Sequence, residues 1–132
     1  MRKYKVILTV ILLAVTSMNV KAEWTKYGVT DIGEEYLYLE SIKRTGNQAK
    51  IWRLVDLKVS QDIGAGAFFS ARGLVEFNCK AETIKLLALT FFAGHMAQGK
   101  IIDTYDYKDA DEKPIPPDSI NSNAIKLACG KK

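Results

Sequence analysis

Residues 83–94 read TIKLLALTFFAG, and no other part of the sequence restricts the fold as strongly. A helix could accommodate this run, but Thr90, Phe91 and Phe92 favour a strand, because β-branched and aromatic side chains suit a pleated surface. Alternation then places Leu86, Ala88 and Phe92 on one face and Leu87, Leu89 and Phe91 on the other. A strand that is apolar on both faces has to lie centrally in a sheet and be covered on both sides.

The segments before and after it supply the sheet. Residues 24–30, 35–41, 50–59, 71–80 and 100–108 alternate or are rich in aromatic and β-branched residues, as strands are. In 35–41, Tyr36 and Tyr38 share one face and Leu37 and Leu39 the other. In 50–59, Ile51, Val55, Leu57 and Val59 share a face broken by Arg53. Residues 43–50 read as a turn, in which Gly46-Asn47 tolerates positive φ, and 60–70, with Gly64 and Gly66, reads as a hairpin connection. That glycine pair lacks the spacing of a phosphate-binding loop. After residue 113 three prolines stop the sheet. Asp118 or Ser119 can then cap a helix in which Ile120, Ala124, Ile125, Leu127, Ala128 and Cys129 fall on one arc. Gly130 ends that helix, and Lys131 and Lys132 suit its negative end. The expected architecture is mainly β (α+β): a single antiparallel sheet of about six strands with a C-terminal helix packed on it. One helix can close only one face. The other needs sheet curvature or a second copy, so a homodimer is a further expectation.

The N-terminus carries a different signal. Arg2, Lys3 and Lys5 precede the apolar run from Val6 to Val15. As helix that run reaches about 15 Å, half of the roughly 30 Å hydrocarbon core. With Val20-Lys21-Ala22 behind it, it reads as a secretory signal over 1–22, cleaved after Ala22, leaving a single domain over 23–132. The signal holds four of the 19 basic residues and no acid, so the remainder balances 15 basic against 15 acidic residues. A general nucleic-acid footprint needs clustered positive charge, which is absent. The product is expected to be exported, periplasmic or secreted, with no membrane anchor after cleavage. No cysteine follows the apolar run, so no lipid is expected at the new N-terminus. In an oxidising compartment Cys79 and Cys129 most simply pair with each other. Closing a loop of about 50 residues is worth about 4 kcal/mol in the chain-entropy model.

Catalytic patterns are missing. His95, the single histidine, lies in a glycine-bounded turn and reads as an exposed loop residue. No serine sits in a GxSxG elbow. Asp103, Asp106, Asp109, Asp111 and Glu112 supply oxygen ligands, but without the spacing or the glycine of a calcium loop. No metal, cofactor or catalytic residue is assigned. The aromatic residues Trp24, Tyr27, Tyr36, Tyr38, Trp52, Tyr105 and Tyr107 are numerous for this length, and Tyr and Trp favour contact surfaces. Tyr36 with Tyr38, or Tyr105 with Tyr107 at a sheet edge, are the candidate partner-binding residues.

Five motifs in order, IWRLVDLK (51–58), SARGLVEFNCK (70–80), FFAGHMAQGK (91–100), IPPDS (115–119) and IKLACGK (125–131), resemble the surface-adhesin protein E-like domain family of Gram-negative bacteria. The resemblance spans nearly all of 23–132. It implies an antiparallel sheet with a C-terminal helix held by one disulfide, and a protein that binds rather than catalyses. The name-giving members are surface adhesins for host proteins. The matched positions imply structural roles: Trp52 in packing, Asp56 and Ser70 bonding loop backbone, Ser119 capping the helix. The name-giving adhesin is lipid-anchored, and this chain lacks a cysteine for a lipid. An accessory envelope protein is therefore the second reading, and an envelope-polymer hydrolase the third.

Mass spectrometry of the exported protein should find Glu23 as its first residue. An intact Met1 in the periplasmic or secreted fraction would contradict the assignment of the leader.

Overall fold

The computed structural model describes residues 23–130, so the leader and the terminal lysines lie outside the described residues. Its strands are β1 (Thr25–Val29), β2 (Gly33–Thr45), β3 (Gln48–Asp62), β4 (Ala67–Asn78), β5 (Thr83–Phe92), β6 (Ile101–Asp106) and the short β7 (Lys113–Pro114), and its helix is α1 (Ile120–Cys129). All pairings are antiparallel. The order β1 to β6 follows the sequence, and β7 adds to β5 beyond the end of β6. Pro114 thus joins the sheet opposite Thr83 instead of stopping it, in a two-residue edge piece where a missing N–H costs little.

Register sorts the side chains. Directly opposed residues share a face, so Ala49, Phe77 and Ile84 align, as do Ile51, Val75 and Leu86. The helix sets Ala124, Ile125 and Ala128 on this face, where they form the main core with Leu37, Ala49, Ile51, Val75 and Phe77. Ala124 and Ala128 let the helix backbone approach the sheet closely. Burying a side chain the size of Ile125 contributes about 1.5–3 kcal/mol. Leu127 departs from the expected arc: it is exposed, and Ser122 takes the buried place. The Ser122 hydroxyl donates to the Ser119 carbonyl, which removes the penalty of burying it.

In β5 the expected alternation breaks. Leu74 opposes Ala88 and Val75 opposes Leu86, so Leu87 is one extra residue, a β-bulge. The bulge shifts the phase. Ile84 and Leu86 before it, and Leu89 and Phe91 after it, all come to the helix side, while Lys85, Ala88 and Thr90 turn to the other. The strand therefore does not present two apolar faces, and its composition alone does not require a second copy.

The expected turn over 43–50 is shorter, since β2 runs to Thr45 and β3 starts at Gln48, leaving Gly46 and Asn47. The expected loop over 60–70 is also corrected. β3 runs to Asp62 and β4 starts at Ala67, leaving a turn of four residues. The extra residues of β3 between Asp56 and Gln61 curl this hairpin, so that Phe68 and Ile63 join Val55, Leu57, Ala71, Leu89 and Phe91 in a second core. Val59 lies in that irregular stretch and is exposed, outside the face expected for it.

The helix is fastened at both ends. Ser119 caps its start, accepting from the Ser122 N–H at 3.2 Å. Gly130 ends it in the left-handed conformation. Arg44 on β2 donates twice to the Ala128 carbonyl, at 3.1 and 2.8 Å, which satisfies an end group and sets a cation at the negative pole. Cys129 is bonded to Cys79 just past β4, with Cα atoms 5.8 Å apart. Gly28 completes the seat, because a Cβ there would lie 2.5 Å from Ile120 Cγ2.

Replacing both cysteines by serine should lower stability by about 2–5 kcal/mol. Urea unfolding of the oxidised protein and of the double variant measures this. Equal midpoints would show that the core alone holds the helix.

Candidate functional site

Among the described residues no helix lies over the opposite face of the sheet. Three rows of opposed residues form it. Glu34, Asp56, Ser70 and Phe92 make the first, Tyr36, Leu54, Arg72, Thr90 and Thr104 the second, and Tyr38, Trp52, Leu74, Ala88 and Asp106 the third. Tyr36, Tyr38, Trp52 and Leu74 stay half-buried, shielded by their neighbours in the plane of the sheet rather than by a covering layer. The Trp24 ring lies 5.7 Å from the Tyr38 ring.

Arg72 organises the centre. Its guanidinium carbon sits 5.2 Å from the Trp52 ring centre and 5.3 Å from that of Phe92, a cation between two aromatic faces. Its Nε is buried and has no hydrogen-bond partner. At the border, the Tyr36 hydroxyl donates to Glu34, which also holds Lys26 at 3.0 Å. That bond, with burial second, pushes the Tyr36 hydroxyl up to about 12. The same bond, with Lys26 behind it, lowers Glu34 below the usual carboxylate range.

One end of the face is closed by the loop 93–100. Its backbone turns sharply, with Met96 and Ala97 at positive φ. Asp56 and Ser70, opposed on β3 and β4, hold it down. Asp56 Oδ1 accepts from the Met96 N–H at 2.8 Å, and Ser70 Oγ accepts from the Ala97 N–H at 2.9 Å while donating to the Gly94 carbonyl at 2.6 Å. The loop-bonding roles expected of Asp56 and Ser70 are thus what the structure has. His95 is exposed as expected, yet a carboxylate does orient it: Nδ1 lies 3.2 Å from Asp56 Oδ1, and the ring packs on Phe69.

Serine, histidine and aspartate together invite comparison with a nucleophilic triad, and the geometry does not make one. Such a triad needs the histidine to face a serine that is open to substrate. Ser70 is fully buried, and its hydroxyl is spent on Gly94 and Ala97. Both partners tie down a turn.

Tyr105 and Tyr107 are not brought together with Tyr36 and Tyr38. Tyr105 opposes Leu89 on the edge strand β6, so it lies on the helix side of the sheet. Its ring meets Phe91 at 5.9 Å and Tyr107 at 6.3 Å. Its hydroxyl donates to Asp103 Oδ2 at 2.8 Å, which raises its pKa. Tyr107 borders a groove of about 660 Å³ over Ile84 and Leu86, with Arg53 and Lys113 at its margin. The acidic run disperses: Asp103 bonds Tyr105 and the Thr104 N–H, and Glu112 accepts from Thr83. Among the described residues no three His, Cys, Asp or Glu side chains converge as a metal site would require.

Sequence reasoning passed over Arg72. Its outward position was legible from alternation, but its two rings come from β3 and β5, and only the strand register sets them beside it.

The model of the surface-adhesin protein E family matches residues 24–130. Among solved structures the fold is similar to crystal form II of Haemophilus influenzae protein E, with a TM-score of 0.64 at 17% identity, covering 85% of this chain and 91% of that one. It is also similar to protein E from non-typeable Haemophilus influenzae, with a TM-score of 0.62 at 17% identity, covering 86% and 79%. No curated protein matches the sequence.

Changing Asp56 or Ser70 to alanine leaves a half-buried N–H group of the loop unpaired, at about 1 kcal/mol. Hydrogen exchange should quicken at Met96 and Ala97 while the helix amides stay protected. Unchanged protection at those two amides would contradict the clamp.

Proposed function

The chain belongs to the surface-adhesin protein E family, and from that premise we propose that it is an exported protein that binds another protein and carries out no catalysis. The observation that carries this reading is the helix-free face, where Trp24, Tyr38 and Trp52 lie side by side on a rigid sheet. Aromatic anchors of this kind dominate protein contacts, since they offer large apolar area at small conformational cost. Tyr36 borders the same patch. Tyr105 on the edge strand β6, with Tyr107 just past its end, offers a secondary contact by strand addition.

The partner is a host protein if the chain reaches the cell surface, and an envelope component if it stays in the periplasm. Among the described residues no helix is long and apolar enough to cross a membrane.

Fractionation of cells followed by capture from the fraction where the protein resides tests the proposal. Protease-accessible protein on intact cells that retains plasma or matrix proteins supports adhesion, and periplasmic protein with an envelope partner supports the accessory role. In either case Trp24→Ala with Tyr38→Ala should weaken capture about tenfold or more with the fold retained. Turnover of an envelope polymer that disappears in Asp103→Asn, with the fold retained, would overturn the reading.

A further inference from the structure

On the helix side of the sheet, the chain between β6 and β7 arches past the edge of β5. The Tyr107 N–H donates to the Leu87 carbonyl at 2.9 Å, and Lys113 pairs with Ile84. Between these two points the register gives Lys85 and Leu86 no partner on β6 or β7. The groove of about 660 Å³ lies here, between the arch, β3 and the start of α1. Small-molecule sites are commonly of this size and combine an apolar floor with a few placed polar groups. The floor is Ile84 and Leu86, half-buried beside the main core. The charged groups stand at two ends.

At the inner end is Arg53, which shares the helix side with Ile51 and Val55 and interrupts their apolar run. It is half-buried. Its Nη1 donates to Asn121 Oδ1 at 3.4 Å, a long bond for a side chain that carries five N–H donors. Among the described residues no carboxylate lies within 4 Å of it. The Tyr27 hydroxyl is buried without a hydrogen-bond partner, although Arg53 and Glu35 both lie near enough to act on it. Glu35 is in the next row, opposite Val55, and does not line the groove. Donors withdrawn from water without acceptors are costly, and the planar fork of an arginine suits a carboxylate.

At the outer end Asp109, Asp111 and Lys113 are exposed along the arch. Neither aspartate has a cation within 4 Å among the described residues, and two acids against one base leave this margin net negative. The groove is therefore positive at β3 and negative past β5, two strand spacings or about 9.5 Å away. An extended tripeptide reaches about as far, at about 3.3–3.6 Å per residue. Opposite charges separated along an apolar floor match a zwitterion better than an acid or a base.

We propose that this groove binds a short apolar peptide with both ends free, its C-terminal carboxylate on Arg53, its side chain over Ile84 and Leu86, and its N-terminal ammonium at Asp109 and Asp111. Peptide ends are recognised in this way elsewhere, by groups placed for the terminal charge. The groove and the aromatic patch lie on opposite faces of the sheet, so each stands or falls by its own experiment.

The probe is the tripeptide Ala-Leu-Ala, titrated into the intact exported protein and followed by calorimetry and by amide chemical shifts. Two counterparts carry an N-acetyl or a C-amide cap. The free peptide should bind saturably, about tenfold or more tighter than either capped form, as loss of a charged hydrogen-bonding partner implies. The shifts should gather at Ile84, Leu86, Tyr107 and Asn121. Arg53→Gln should abolish the preference for the free carboxylate and keep that for the free amine. Asp109→Asn with Asp111→Asn, two exposed changes, should do the reverse, and that result decides the matter should Arg53→Gln fail to fold. Equal affinity for free and capped peptides would overturn the zwitterion site. So would the absence of binding, or shifts confined to the helix-free face.

Discussion

Among the described residues a single ten-residue helix has to close a seven-stranded sheet, and it can lie on only one side of it. Apolar side chains must therefore be gathered onto that side. The bulge at Leu87 does this for β5, bringing Ile84, Leu86, Leu89 and Phe91 to the covered face. The irregular stretch of β3 between Asp56 and Gln61 does it for the far end of the sheet, by folding the β3–β4 hairpin over a core that the helix does not reach. Each device gives up a little regular pairing for a large gain in buried area, and the hydrophobic term is the larger of the two.

The position of the helix depends on cross-links more than on its own propensity. Ten residues are marginal as an isolated helix in water. Ser119 and Gly130 cap it, Arg44 bonds its last turn, and the bond to Cys79 ties its end to the turn after β4. These attachments reach β2 and the end of β4, so the helix resists tilting as well as lifting. Gly28 and Ile120 fit against each other at its other end.

The opposite face follows from the same constraint. Among the described residues no element covers it, and its residues shield one another. Leu54 is fully buried between Tyr36 and Arg72, its partners across the sheet, and the guanidinium of Arg72 is wedged between aromatic rings. The result is a surface on which aromatic rings flank one guanidinium, with Glu34 and Asp56 in the adjoining row. At one end Asp56 and Ser70 hold a tight loop down at its border, which makes polar residues that resemble catalytic ones serve the backbone instead.

Period and punctuation in the sequence determined a great deal. Alternation marked the strands, the prolines and Ser119 marked the passage to a helix, and two cysteines in one small domain marked the cross-link, because each of these signals acts within a few residues or through composition. The motif that carries Asp56 and Ser70 also pointed to their loop-bonding role. Only the tertiary structure decided the rest. A bulge changes the facing of every residue beyond it, and nothing in TIKLLALTFFAG announces one, since Leu87 is chemically the same as Leu86. The exposure of Leu127, the separation of Tyr105 and Tyr107 from Tyr36 and Tyr38, and the seat of Arg72 between rings of two neighbouring strands all depend on register. Register is set by how β3, β4 and β5 are aligned across the sheet, and a side-chain pattern read along one strand does not contain that alignment.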